Sequence, residues 1–280
     1  MKVWAHTLVK NEERYVWYAV MSVIDWVDKI LIWDTGSTDK TVEIIKEIEK
    51  MHPDKVDFKE VGEVDPQKFT KIRQEMLDAT NSDWLILVDG DEVWWEDSIK
   101  AVISTVRTEG DTLETIVNST HNIVGDIYHY QEEAAGRYEI DGRRGHLSIR
   151  ALNRKILGLH LEKPHGTQGF FDKNGILIQE RPKKFRKFLD TPFMHFTYMA
   201  RSSSREKDLK VPKRDIKLKY ELGIPFPLDF YYPEVFFRPK PDIVPSPWRK
   251  TRKGYFLRAF METPIRRLKR RMVKSDKVGY

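Results

Sequence analysis

The first third of the chain alternates short apolar runs with longer stretches that are apolar at every third or fourth position. Lys2–Val9 reads as a buried strand, and Glu12–Trp26, with Val16, Ala19, Val20, Val23 and Ile24, has the spacing of a helix. Lys29–Asp34 (KILIWD) is a second buried run that stops in the turn-rich Thr35-Gly36-Ser37-Thr38-Asp39. Ser37 or Thr38 is placed to cap a helix over Thr41–Met51. A strand over Val56–Val61, a helix over Phe69–Ala79, a strand over Trp84–Asp89 and a helix over Asp97–Thr108 continue the series. This alternation predicts right-handed crossovers and an α/β fold with a mixed, mostly parallel sheet flanked by helices.

Beyond Asp111 the rhythm changes. Thr115–His121, Gly145–Asn153 and Gly175–Gln179 read as strands without helices between them, and Ser202–Leu222 reads as a polar helix. Pro225–Pro247 holds seven prolines among Phe226, Phe230, Tyr231, Tyr232, Phe236 and Phe237, a composition incompatible with regular helix and suited to a segment that wraps the surface. From Trp248 the chain reads as two short basic helices, the second restarted at Thr263-Pro264. The divisions are 1–110, 111–224, 225–247 and a C-terminal helical and irregular extension, 248–280.

Composition removes several classes of chemistry. Without cysteine there is no disulfide scaffold, thiolate zinc site, iron–sulfur cluster or cysteine nucleophile. No apolar run approaches ~18 residues, and the first residues read as a strand and not as a signal peptide, so a cytoplasmic protein is expected. The net charge of +6 is unevenly spread. Residues 240–280 carry thirteen Lys or Arg against three acids, a net of +10, which leaves 1–239 at −4. In the tail, Leu257, Met261, Ile265, Leu268 and Met272 form an apolar stripe at helical period among arginines and lysines. That pattern suits a helix lying on an anionic membrane surface through residues 249–280, or one whose stripe docks on the protein's own body. No nucleic-acid motif accompanies the charge, so no specific nucleic acid is expected.

In an open α/β sheet, ligands bind beyond the carboxyl ends of the strands. Three such ends carry polar clusters: Lys10-Asn11-Glu12-Glu13, Asp34-Thr35-Gly36-Ser37 and Asp89-Gly90-Asp91-Glu92. Two carboxylates separated by one small residue suit a hard divalent cation, and Gly90 lets backbone or ligand come close. Each cluster alone also fits a turn with a helix cap. The stretch Leu159 to Gly166 adds His160, Glu162 and His165, the first two sharing one strand face. His195 stands in an apolar run where a histidine is also readily a satisfied core residue. Arg201, Arg205 and Lys207 are basic groups that could meet a diphosphate, whereas His6, Tyr128, Arg143, Arg144 and Arg150 suggest no particular role.

The ordered combination of NEE, DTGSTDKT and DGDE over the first hundred residues resembles the nucleotide-sugar-dependent glycosyltransferases of family 2, which have the GT-A (Rossmann-like) fold, and most closely those that build lipopolysaccharide cores. The resemblance implies a nucleotide-sugar-binding half over 1–110 and an acceptor half over 111–224. It implies that Asp34 hydrogen-bonds the nucleobase, that Arg73 contacts the nucleotide, that Asp89 faces the ribose, and that Leu8, Val9 and Asn11 line the base pocket, with Glu13 and Gly90 in the same donor site. Asp91, joined by His195, would bind Mn²⁺ or Mg²⁺. Relatives carry a His-Glu pair near the acceptor, which points to Glu162 as general base with His165 as its rival. The implied reaction is inverting transfer from a nucleoside-diphosphate sugar, a UDP-sugar favoured, to a glycan or lipid-linked acceptor at the inner face of the membrane. Two other readings remain: a nucleotidyltransferase, although LVKNEE lacks the glycines of its phosphate loop, and a non-catalytic polyanion-binding protein. Nothing in the sequence bears on oligomeric state.

Overall fold

Eight strands share one sheet, built around the four apolar runs of the first third. The computed structural model describes residues 1–211, 214–251, 253–272 and 277–278. The chain runs β1 (Val3–Val9), α1 (Val16–Met21), β2 (Lys29–Asp34), α2 (Thr41–Met51), β3 (Val56–Glu60), α3 (Pro66–Asp78), β4 (Trp84–Leu87), β5 (Glu92–Trp94) and α4 (Glu96–Glu109). It continues with β6 (Thr115–Asn122), β7 (His129–Tyr130), β8 (Tyr138–Ile140), β9 (Arg143–Gly145), β10 (Leu147–Asn153), β11 (His160–Glu162), β12 (Gly169–Phe171) and β13 (Arg186–His195). After α5 (Arg205–Leu209), α6 (Arg214–Lys217) and β14 (Ile224–Pro225) come the long α7 (Lys253–Met272) and β15 (Lys277–Val278).

The order across the main sheet is β3-β2-β1-β4-β10-β6-β13-β5. β1, β2, β3 and β4 are parallel, β10 runs against both β4 and β6, and β13 is parallel to β6 and antiparallel to β5. Six strands therefore point one way and only β10 and β5 oppose them, which is the mixed, mostly parallel sheet of the GT-A fold. The second half does not form a separate layer: β10 is inserted between β4 and β6, so both halves share one sheet.

Side chains alternate across the strands with period two. Ala5, Val9, Ile30, Ile32, Trp84 and Ile86 face one core together with α1, α2 and α4. Leu8, Leu31 and Trp33 face the other side, against Ile72 and Met76 of α3, and Leu85 and Leu87 lie on that side too. Both faces are covered, which is why the runs read as continuously apolar. The Pro/aromatic segment closes the first core, with Phe236 edge-on to Tyr18 and Phe226 stacked on Phe230. β13 slips register against β6 between Leu189 and Phe193, at Pro192, which lacks the N–H a regular ladder needs.

Four expectations are corrected. The helix expected over Glu12–Trp26 is regular only from Val16 to Met21, because the Ser22 hydroxyl turns back to the Ala19 carbonyl and also accepts the Trp94 N–H. Gly175–Gln179 is not a strand: Asp172 Oδ1 accepts from the N–H groups of Asn174 and Ile176, Gly175 sits at φ 72°, and the strand is β12 instead. Ser202–Leu222 forms the two short helices α5 and α6, since Asp208 bends back to accept from the N–H groups of Arg201 and Ser202; residues 212–213 lie outside the described residues. The two basic helices expected from Trp248 are one, α7, which runs through Pro264. Of the tail, residues 252, 273–276 and 279–280 lie outside the described residues.

His6 is a core histidine. It sits on β1 between β2 and β4, and its Nε2 lies 2.6 Å from the Thr80 hydroxyl, which itself donates to the Met76 carbonyl. The histidine is therefore the donor in that pair. Burial, reinforced by Arg73 and Arg154, pushes its pKa down to about 3. Below pH ~6.5 the unfolded chain takes up a proton that the native ring refuses, so the stability present above that pH is lost as pH falls toward 3, by about 5 kcal/mol over the window. Urea unfolding at several pH values between 7.5 and 4 should show a steeper loss for the wild type than for His6→Gln. Parallel pH profiles would remove His6 as the cause.

Candidate active site

The parallel strands deliver their last residues to one edge of the sheet. β1 leaves at Val9 and turns at Asn11, whose φ of 52° puts a non-glycine residue in the left-handed region. The strain is held by the side chain: Asn11 Oδ1 accepts the Thr38 N–H at 2.7 Å, and Nδ2 donates to the Lys207 carbonyl at 2.8 Å. β2 ends at Asp34, paired with Val9 as Trp33 is with Leu8. Asp34 Oδ2 accepts the N–H groups of Gly36 and Ser37, and the Ser37 hydroxyl donates to Oδ1, so this carboxylate organises its own turn. Gly36, at φ 84°, supplies the bend. Glu13 reaches sideways, accepting from the backbone N–H of Ser203 and, at 3.1 Å, from that of Lys40.

The DGDE segment links β4, near the middle of the sheet, to β5 at its edge. Asp89 accepts from Arg73 Nη2 at 2.8 Å, with Arg150 at 3.8 Å on its other oxygen. A Cβ on Gly90 would come within 2.8 Å of Val9 Cγ1 and 3.1 Å of Glu12 Cγ, so the glycine lets this loop lie directly on the end of β1. Asp91 Oδ2 accepts from Arg201 Nη1 at 2.6 Å and lies 3.7 Å from His195 Nε2. Glu92, fully buried, is paired with Arg150 and stands 3.8 Å from the same histidine. Glu12 is held by Arg201 at 3.0 Å and by Arg214, which also reaches Asp208 at 3.2 Å. His195 arrives here as the last residue of β13, in register with Glu92 across the β5 pair.

Burial and charge pull these groups apart. Burial pushes Asp89 and Asp91 up, but Arg73 and Arg150 on the first, and Arg201 and His195 on the second, outweigh it and hold both below the usual carboxylate range. Glu13 is likewise raised by burial and brought low by hydrogen bonds from Ser203 and Lys40. Burial dominates at Glu92, raised well above normal despite Arg150, and at Glu12, pushed up to about 8 despite Arg201 and Arg214. Burial also takes His195 down to about 4, against the pull of Asp91. At neutral pH the site thus offers an ionised Asp91 beside a neutral imidazole, the protonation states that metal ligation requires. No group of three His, Cys, Asp or Glu that could hold a metal occurs among the described residues, and the Asp91 oxygen nearest His195 also carries the Arg201 guanidinium.

The structure brings together Asn11, Glu13, Asp34, Arg73, Asp89, Gly90, Asp91 and His195, with the backbone of Leu8 and Val9, at one edge. Glu162 and His165 are carried by a different element, the β11–β12 hairpin beside α3. Glu162 is exposed and hydrogen-bonded to His160 at 2.9 Å, next to Thr70, Lys71 and Gln74. His165 packs on Phe69 with ring centroids 4.2 Å apart, and Arg73, the partner of Asp89, lies over the same Phe69 ring. Glu12, Glu92, Arg150 and Arg214 were given no role from sequence. A signal existed for Arg150: an arginine within the apolar run of β10 implies a buried anionic partner.

The sequence model of the family described as glycosyl transferase family 2 matches residues 6–201. No curated protein matches the chain. Solved structures similar to it include TarS 1-349 of S. aureus in complex with UDP-GlcNAc, 16% identical over 45% of this chain and 36% of that one, with a TM-score of 0.39. A mannosyltransferase from Pyrobaculum calidifontis in complex with GDP-Man and Mn²⁺ is 18% identical over 55% of this chain and 45% of its own, at 0.38. Glucosyl-3-phosphoglycerate synthase from Mycobacterium tuberculosis, in complex with Mn²⁺ and UDP-Glc, is 16% identical over 69% and 71%, at 0.42. The chain spans little more than a third of the S. aureus protein's length.

Arg201 joins Asp91 to Glu12, so its removal leaves two buried carboxylates short of a partner. Arg201→Ala should cost about 3–5 kcal/mol in chemical denaturation. Adding Glu12→Gln to it should restore part of that loss, with a coupling of about 1 kcal/mol or more. A loss below ~1 kcal/mol with no coupling would contradict the pairing.

Proposed function

The chain belongs to glycosyl transferase family 2, and we propose that it transfers a sugar, with inversion, from a nucleoside-diphosphate donor to a glycan or lipid-linked acceptor. The observation that carries this reading is the pair Asp89 and Asp91, both ionised and flanked by Arg73 and Arg201, at the sheet edge inside the matched segment. Asp34, Leu8, Val9, Asn11 and Glu13 form the wall for the nucleobase, with Asp34 keeping acceptor capacity beyond its own turn. Asp89, oriented by Arg73, is assigned to the ribose. Gly90 keeps the floor low enough for the donor to approach the backbone. Asp91 and His195 would hold Mn²⁺ or Mg²⁺, which when bound offsets the charge that develops on the departing diphosphate. Arg201, Arg205 and Lys207 provide further positive charge on one segment.

In an inverting displacement the acceptor oxygen bonds to the anomeric carbon as the bond to the diphosphate breaks, and the electron pair leaves with the phosphate. The acceptor proton must pass to a base on the far side of the sugar. Glu162 and His165 are the proposed bases, on a hairpin that packs against the helix carrying Arg73. The hydrogen bond to His160 orients the Glu162 carboxylate; the Phe69 contact orients His165.

Sugar nucleotides, UDP-sugars first, should release free nucleoside diphosphate on incubation with the protein and a divalent cation. Asp91→Asn should abolish release in protein that still folds, with its unfolding midpoint lowered by the weakened Arg201 pair, and a chelator should abolish release by the wild type with no such loss of stability. Full release in excess chelator would remove the cation from the reaction. Of Glu162→Gln and His165→Asn, the variant lacking the base should lose ~10²–10⁴ in turnover with donor KM kept. If neither loses more than ~10-fold, the base is not on this hairpin.

A further inference from the structure

α7 is fastened to the body by its polar face. The Tyr255 hydroxyl donates to the Lys219 carbonyl at 2.8 Å and accepts the Glu221 N–H, while the Thr263 hydroxyl accepts the Leu222 N–H at 2.8 Å. Arg270 reaches Glu221 at 2.5 and 2.6 Å and Glu132 at 2.9 Å. Ala259 and Thr263, between them, are buried. The apolar stripe takes no part in this: Leu257, Met261, Ile265, Leu268 and Met272 are 59–75% exposed, and Phe260 is 69% exposed. At ~100° per residue, the centre of the stripe lies about 160° around the helix from the docking face. The expectation that the stripe docks on the body is thereby overturned.

The charges say what covers the stripe. Arg258 and Lys269 line one margin of it, and Lys253, Arg267 and Arg271 the other, all exposed. Glu262, the single acid of the helix, sits toward the docking side, where it accepts from Arg258 and Arg266 at 2.6 Å. A second copy of the helix laid on the stripe would set cationic rows against each other. An anionic bilayer surface instead takes both features at once, the apolar side chains entering the headgroup boundary and the flanking cations meeting the phosphates. No helix among the described residues is long and apolar enough to cross a membrane. We propose that α7 lies in the plane of an anionic lipid surface, stripe inward, with the body held beneath it by Tyr255, Thr263 and Arg270. This goes beyond the transfer chemistry and does not depend on it.

Co-sedimentation of the full chain with vesicles of mixed phosphatidylglycerol and phosphatidylcholine tests it. The wild type should bind, more weakly as salt is raised, and less to phosphatidylcholine alone. The double variant Ile265→Glu, Leu268→Glu should lose ~10-fold or more in vesicle affinity, with its thermal unfolding unchanged because these side chains are exposed in the folded protein. Lys269→Glu with Arg271→Glu should weaken anionic binding and reduce its salt dependence. A wild type that ignores anionic vesicles overturns the proposal. So does a stripe variant that binds as well as wild type, or a stripe variant that turns a vesicle-indifferent dimer into a monomer.

Discussion

Three acidic side chains, Glu12, Asp91 and Glu92, are withdrawn from water at one edge of the sheet, a fourth, Asp89, is half-buried beside them, and each is met by a guanidinium. A polar or ionised group buried without a partner is costly, so these acids oblige the rest of the chain to bring donors to them, and arginines supply them. Arg73 comes from α3, Arg150 from β10, and Arg201 and Arg214 from the segment after β13. The insertion of β10 between β4 and β6 places Arg150 between Asp89 and Glu92. The return of residues 199–211 beside the end of β1, and of Arg214 to the carbonyls of Lys10 and Asn11, supplies the other two. Much of the irregular second half can be understood as the means of carrying positive charge to a fixed acidic edge.

The same compensation leaves the site with divided protonation. Asp89, with Arg73 and Arg150 on its two oxygens, stays ionised, whereas burial outweighs Arg150 at Glu92 and outweighs both Arg201 and Arg214 at Glu12, so these two tend to hold their protons. In the proposed transfer, a donor diphosphate would meet arginines already ordered by carboxylates, so little reorganisation would be left for the moment of reaction.

Strands, helices and acidic clusters of the first hundred residues were legible because each lies within one local period. KILIWD and TVEIIKEIEKM have the bounds that the pattern predicts. Arg214 escaped because its partners lie far away in sequence and no local pattern marks it as paired, while Arg150 was marked as paired by its apolar run but not with which acid. Glu162 and His165 were legible as a titratable cluster, but the docking of their β11–β12 hairpin on α3 is decided by tertiary packing. On α7 the stripe was read correctly as a stripe. Periodicity could not tell which way it faced, because a helix can dock through alanine, threonine and arginine as firmly as through leucine. Pro264 was read as a break, yet it rides in the helix where the adjacent Thr263 hydroxyl donates to the Ala259 carbonyl.

The ion pairs around Glu12 also impose an order in time. The Glu12–Arg214 link closes a span of 202 residues, and the Asp91–Arg201 link one of 110. Such long closures come late in folding, since the entropy of drawing distant segments together must be met before the contact rewards it. On a ribosome adding ~5–20 residues per second, roughly 10–40 s separate the emergence of Glu12 from that of its last partner. Through that interval Glu12 and Asp91 lack Arg201 and Arg214, and the acidic edge cannot settle into the native arrangement. Completion of the acidic edge therefore waits on the synthesis of Arg214, and a ribosome that stalls earlier leaves a chain whose most costly residues are still seeking water.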